Sequence, residues 1–463
     1  MSESLEDILR TFLNANCQLL KLLAVHRADN DAVKRPLEDF EKSFQNLRGH
    51  SKSKQSIEIC FDENVLSIMG VKIQQHYSVM ESLSYIPEVF EVAMFESIAF
   101  DPGVEKSSVL EVYVKLAQHA ALHSKPKALK VEAKGIQIVP LDPNKAANRA
   151  RSKELLKDPE FALQHHYLLK LLVDRFFYGF ASNSVISQKS IRRQLMELAQ
   201  IARVAPVNVF ALTLIDDHEG LSVGLGTAVQ QSISTALLTM LVAQEMGMTT
   251  HDQIDLGLMG LLYNVGTLIG EAHALTFEKR SLSEAEYRKL VEAQASGIYR
   301  LLKAQGKSRP VLERLLSIFE QAQQKIGARI DLSLDAKLFK LTSQYIALTS
   351  ARPYRSAYLP HEALKILGAE LKTQPGNLDA NLYFYLVRFL GIYPIGSYVE
   401  LSNGMHAVVV KAQAEKQGYP LVNCFDPSCK SEKEVLDLSK SDIKILRALD
   451  PDEVGLAIPH YFL

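Results

Sequence analysis

Two arginines, Arg352 and Arg355, stand three residues apart in the segment RPYR. Guanidiniums at that spacing can share one anion through forked hydrogen bonds. The competing reading pairs them with nearby acids, fixing a turn whose backbone Pro353 sets. Other reactive side chains carry less. Cys424 and Cys429 are close, but neither a second pair (Cys17 and Cys60 stand far off) nor a histidine falls at zinc-ligand spacing. Reduced thiols are expected. The pair His165-His166 reads as one exposed and one partly buried histidine on a helix rather than a metal pair. His218, beside acids in IDDHEGL, suits a loop. The glycines of LSVGLGTA lack the strand–helix context of a phosphate cradle, so a turn is expected there.

The elements that must position these residues change character along the chain. From Leu5 to Leu23, and again from Val33 to Leu47, apolar residues recur at helical spacing. Ile57, Ile59 and Phe61 then alternate with polar residues, and Asp62-Glu63-Asn64 precedes Val65, Leu66 and Ile68, the pattern of a hairpin. A further helix, a short strand near Ala93–Phe100, a helix near Val109–His119 and the strand-like ALKVEAKGIQIVPL complete an α+β unit. The polar LDPNKAANRARSKELLKDP reads as a connector. Helical periodicity then runs unbroken to about Leu390. Alternation returns in SYVELSNGMHAVVVKA, where Ser402-Asn403-Gly404 is a hairpin signal. The expected class is mainly α: an N-terminal α+β domain over 1–145, a connector over 146–160, an all-α bundle over 161–390 and a small β-rich extension over 391–463.

Composition narrows the function. With 463 residues, two or three domains are expected. The 52 basic and 53 acidic side chains nearly cancel, which argues against a broad footprint for nucleic acid or an anionic membrane. No apolar run is long enough to span a bilayer, and MSESLEDILR opens on acids, so the expected location is the cytoplasm.

Three helical-region stretches resemble the HD-GYP family, the cyclic di-GMP phosphodiesterase branch of the HD metal-dependent phosphohydrolases. LMGLLYNVGTLIG is similar to the helix that reads Leu-Leu-His-Asp-Ile-Gly-Lys in that family. YIALTSARPYRSAYLPHEAL is similar to its Tyr-Asp-Ala-Leu-Thr-Ser-x-Arg-Pro-Tyr-Arg segment, and FLGIYPIGSYVELSNGMHAVVV to the tail that follows it. Order and spacing match, from about Phe161 onward. AVHRADNDAVKRPLEDF, followed by a hairpin, is similar to a module found ahead of some HD-GYP domains.

The resemblance also exposes departures. Such hydrolysis needs two or more metal ions to polarise the phosphoryl group and generate hydroxide, held by imidazoles and carboxylates. Here the first His position falls on Gln231, the His-Asp dyad on Tyr263-Asn264 and the following Lys on Thr267. The next His falls on Ala293 ahead of Gly297, the paired His on Ile318-Phe319 beside a retained Glu320, and the late Asp on Ser343. The Gly-Tyr-Pro loop is missing. His273 is the single histidine between Gly270 and Pro353. Ile318 and Phe319 would fill the space the metals vacate. The resemblance implies that Arg352 and Arg355 contact nucleotide phosphates. With the lost ligands, it leads to the expectation of a degenerate domain and a pseudo-enzyme rather than an enzyme, holding no metal and no other cofactor. Such a chain would signal through unidentified protein partners and retain cyclic di-GMP binding, with a homodimer as a further expectation. The alternative is a phosphodiesterase or other hydrolase with an unconventional site.

Overall fold

The computed structural model describes residues 4–454, apart from 51–55, 63–64, 74–78, 124–125, 143–144, 146–153, 183, 185–186, 216–220, 223, 305–308, 375, 414 and 426–431. His218, Cys429, Glu63, Asn64 and most of the expected connector lie outside these. The chain divides into two compact units, Met1–Leu155 and Leu156–Leu463.

In the first unit, α1 (Leu5–Val25) starts where the Ser4 side chain accepts a hydrogen bond from the Asp7 amide, satisfying a donor that the first helical turn leaves open. Its buried stripe of Ile8, Leu9, Phe12, Leu13 and Leu20 packs on α2 (Asp31–His50). The expected hairpin forms: β1 (Ile57–Asp62) pairs antiparallel with β2 (Val65–Ile68), Ile59 opposite Ile68. With β3 (Val71–Lys72), β4 (Phe95–Phe100) and β5 (Ile136–Pro140) they make an antiparallel sheet in the order β3-β2-β1-β4-β5. Two helices complete the unit, α3 (Met80–Ala93) and α4 (Lys106–Leu122). Phe12, Phe40, Phe44, Phe100 and Tyr113 form one aromatic cluster from both helices and sheet.

One expected strand is shorter than its sequence suggests. Of ALKVEAKGIQIVPL, only Ile136–Pro140 pairs with β4. The earlier part serves the end of α3 instead: the amides of Lys127 and Leu129 donate to the carbonyls of Val92 and Ala93. Helix-end carbonyls have no partner of their own, and this segment supplies one.

In the second unit the span from Phe161 to Leu390 is helical, with no strand among its described residues. It comprises α5 (Pro159–Ala181), α6 (Lys189–Val204), the short α7 (Pro206–Ala211), α8 (Gly226–Glu245), α9 (Thr250–Leu262), the short α10 (Gly270–Leu275), α11 (Glu284–Ala304), α12 (Arg309–Lys325), α13 (Leu334–Thr349), α14 (Pro360–Thr373) and α15 (Ala380–Leu390). Helix α8 is buried on nearly every side, as its weak amphipathicity requires. Helices α5, α9, α13 and α15 pack around it. Asp255 of α9 ties neighbours together, accepting from Arg192 of α6 at 2.7 Å and from Arg314 of α12 at 3.0 Å.

The mainly α class is therefore correct, with its α+β start and β-rich end. The C-terminal sheet has the antiparallel order β10-β6-β7-β8-β9. Its strands are β6 (Tyr398–Leu401), β7 (His406–Lys411), β8 (Leu421–Phe425), β9 (Glu432–Asp437) and β10 (Ile445–Leu449). The hairpin at Ser402-Asn403-Gly404 joins β6 to β7, with Glu400 opposite His406 and Gly404 at φ 80°.

Candidate functional site

The residues at the HD-like positions come from α8, the end of α9, α12 and α13. Gln231 lies on α8 and is 7% exposed. Tyr263 ends α9, and Asn264 caps a 3-10 turn over Val265–Leu268. The Tyr263 ring meets Phe339 edge-on at 5.1 Å, a packing role that an imidazole ligand would not play. The Asn264 side chain donates to Ser232 Oγ at 3.4 Å, while the Asn264 backbone carbonyl accepts from the Thr267 hydroxyl at 2.7 Å. Thr267, at the Lys position, thus closes the turn instead of projecting a charge.

Helix α11 crosses this turn at backbone contact. A Cβ on Gly266 would collide with the Ala293 carbonyl, and one on Gly297 with Gly266 itself. Ala293 is placed beside the turn by this crossing.

On α12 the residues behave differently from one another. Ile318 is buried at 1% exposure, as expected of a space-filling replacement. Phe319 is not. It is 40% exposed and lines an outer apolar groove between α11 and α12, with Leu312, Leu316 and Tyr299. One helix face cannot hold two consecutive residues, because they are about 100° apart around the axis. Glu320 accepts from the amide and hydroxyl of Ser333, at 3.1 and 2.8 Å, and so braces the start of α13. Gln321 donates to Ser343 Oγ at 3.1 Å, joining α12 to α13 at the late Asp position.

Arg352 and Arg355 sit in a tight loop, each amide donating to the other's carbonyl at 2.8 and 3.2 Å. The expected pairing with acids is not found: among the described residues neither contacts a carboxylate. Arg355 donates to the carbonyls of Ala347, Leu348 and Ser356, at 2.6, 3.2 and 2.8 Å, and stacks over Tyr358. It closes the C-terminal end of α13, where carbonyls lack partners. Arg352 instead reaches across to α8 and donates to Gln231 Oε1 at 3.0 Å. Of its five N–H donors, that bond uses one.

Two lysines join this region without any motif having announced them. Lys340 of α13 donates to the carbonyl and side-chain oxygens of Asn377 and, at 2.8 Å, to Gln324. Lys325 ends α12 on the stripe of Ile318, Gln321 and Ala322. Burial pushes its ammonium down to about 8, and repulsion from Lys340 and Arg352 adds to the shift. The sequence signal for Lys325 was its place seven residues after Ile318, two helical turns along one face.

Other candidates resolve into structure. His166 is fully buried, while His165 is half-buried and its Nδ1 lies 2.8 Å from Gln194 Oε1. Neither is the exposed member expected: α5 turns His166 into the core, and His165 leans on Phe161 and Gln194. His273 Nε2 contacts the Gly224 carbonyl at 3.1 Å. Cys17, Cys60 and Cys424 are free thiols. Among the described residues no three His, Cys, Asp or Glu side chains gather as a metal site, and no helix is long and apolar enough to cross a membrane.

No family model matches the chain. It is 25% identical over 218 residues to a cyclic di-GMP phosphodiesterase of Pseudomonas aeruginosa, covering 45% of this chain and 51% of that one. It is 20% identical over 241 residues to another cyclic di-GMP phosphodiesterase, of Borreliella burgdorferi, covering 50% of this chain and 62% of that one. The chain thus spans about half the length of the first of these relatives. Among solved structures, an HDG"Y"P protein of Bdellovibrio bacteriovorus aligns at a TM-score of 0.39 and 14% identity, over 57% of this chain and 87% of that one.

These matches correct the expectation of a pseudo-enzyme, because both curated relatives are named as enzymes. The expectation rested only on residue types at motif positions along the chain. Taken with the three motif stretches, the matches show that this chain carries an HD-GYP-like domain.

Proposed function

We propose that this protein serves bacterial cyclic di-GMP signalling, its helical unit binding the dinucleotide and relaying occupancy to a protein partner. The observation that carries the reading is Arg352, held on Gln231, which the resemblance puts at the first ligand position, with no carboxylate partner among the described residues. A guanidinium in that state is a ready donor for a phosphate diester. Arg355 contributes by bracing the loop that presents Arg352. The names of the two relatives supply the ligand class.

Calorimetry with cyclic di-GMP tests the reading on the full chain. Saturable one-to-one heat from wild type, lowered at least about tenfold in affinity by Arg352→Ala, is the expected result. No heat from folded wild type defeats it. A second reading, hydrolysis of cyclic di-GMP, is favoured by the relatives' names. Product release after supplementation with manganese or iron, measured by chromatography, decides it.

A further inference from the structure

We infer that Lys325, Arg352 and the side-chain amide of Gln231 together form an anion site that holds one phosphate group of a nucleotide directly, without a bridging metal ion. The inference deepens the cyclic di-GMP reading and rests on it for the identity of the nucleotide.

Three observations converge. The first is Gln231 itself. It is 7% exposed, its oxygen is occupied by Arg352, and its Nε2 has no hydrogen-bond partner among the described residues. A buried amide donor left open is costly, and an acceptor arriving from outside would remove that cost. Such an acceptor would also lie beside the Arg352 guanidinium, because both groups meet at the same amide.

The second is the charge balance. Lys325 forms no hydrogen bond or ion pair among the described residues, and the charges that act on it are two further cations, Lys340 and Arg352. Lys340 is already committed to Asn377 and Gln324. Among the described residues neither Lys325 nor Arg352 pairs with a carboxylate, while Glu370 acts on Lys340. Like charges held near one another are stabilised by an anion that bridges them.

The third is position. Gln231 occupies the place of the first imidazole ligand, and Gln321, one turn before Lys325, is bonded to Ser343 at the late Asp position. By the family resemblance, Gln231 and Ser343 stand at positions that hold metal ligands, and the donors lie on α8, at the end of α12 and in the loop after α13. An ammonium, a guanidinium and an amide can supply the same positive and hydrogen-bonding field to phosphoryl oxygens.

The test uses the full-length protein with EDTA present throughout, and two probes, cyclic di-GMP and inorganic pyrophosphate. Lys325→Met and Gln231→Leu are each expected to weaken binding at least about tenfold, while Lys325→Arg keeps it within about threefold. Far-ultraviolet circular dichroism and thermal melts confirm that each variant is folded, and Lys325→Arg guards against a packing effect. If wild type binds cyclic di-GMP in EDTA and Lys325→Met binds equally well, the site is wrong and the signalling reading stands. If binding appears only when manganese replaces EDTA, a metal does the work, and the inference again fails alone. If pyrophosphate binds through Lys325 while cyclic di-GMP does not, the anion site stands and the signalling reading falls. If neither probe binds, both fall.

Discussion

Gly297 of α11 lies against Gly266 so closely that a methyl group on Gly297 would overlap the Gly266 backbone. The contact fixes the turn that follows Tyr263 and Asn264, because neither chain can retreat without opening the helix crossing. Gly297→Ala should therefore destabilise the helical unit by about 3 kcal/mol or more, at the upper end for overpacking, since main chain yields less readily than a side chain. Urea unfolding followed by circular dichroism measures it. A change below about 0.5 kcal/mol would show that the crossing is looser than the structure has it.

Asp255 should matter more than an exposed carboxylate would. It receives both Arg192 and Arg314, and Arg314 is almost fully buried. Replacing Asp255 with Ala leaves two guanidiniums facing each other, and breaking a buried pair in this way costs about 3–5 kcal/mol. The partial exposure of Arg192 and Asp255 sets the expectation near the low end. The same urea experiment reads it, and a loss under about 1 kcal/mol would contradict the assignment.

Lys325 makes stability depend on pH in an unusual direction. Its ammonium is held down to about 8 in the folded protein, against about 10.4 for a lysine in an unfolded chain. Between those values the unfolded chain binds more protons, so this group adds stability as pH rises, and its cost is fully present below pH 8. Lys325→Met should then melt higher than wild type at pH 7, with the gain shrinking toward pH 10. An equal difference at both pH values would mean that the amino group is not depressed.

The two arginines of the RPYR loop should separate in their effects. Arg355→Ala removes bonds to three carbonyls and should cost about 1–3 kcal/mol. Arg352→Ala removes one bond to an amide and should cost less than about 1 kcal/mol. Paired denaturation curves compare them directly. Equal losses would show that Arg352 is as much a brace as Arg355.

The sequence by itself determined the order and type of the elements and the correspondence of motifs. Helical repeats such as Ile8, Phe12 and Leu19, and the alternation of Ile57, Ile59 and Phe61, record local backbone geometry. Each residue's inward or outward turn follows from its neighbours within one or two turns. The alignment of Tyr263, Asn264 and Ser343 with motif positions was likewise a matter of spacing along the chain. Only the tertiary structure decided which arginine keeps open donors, since Arg352 meets Gln231 across 121 positions. It also turned His166 inward and Phe319 outward, and set Lys325, at the end of a different helix, within the field of the Arg352 charge. Those outcomes depend on how α8, α12 and α13 pack against one another. Helix packing couples residues that are remote in the chain through ridges and grooves that no local period encodes.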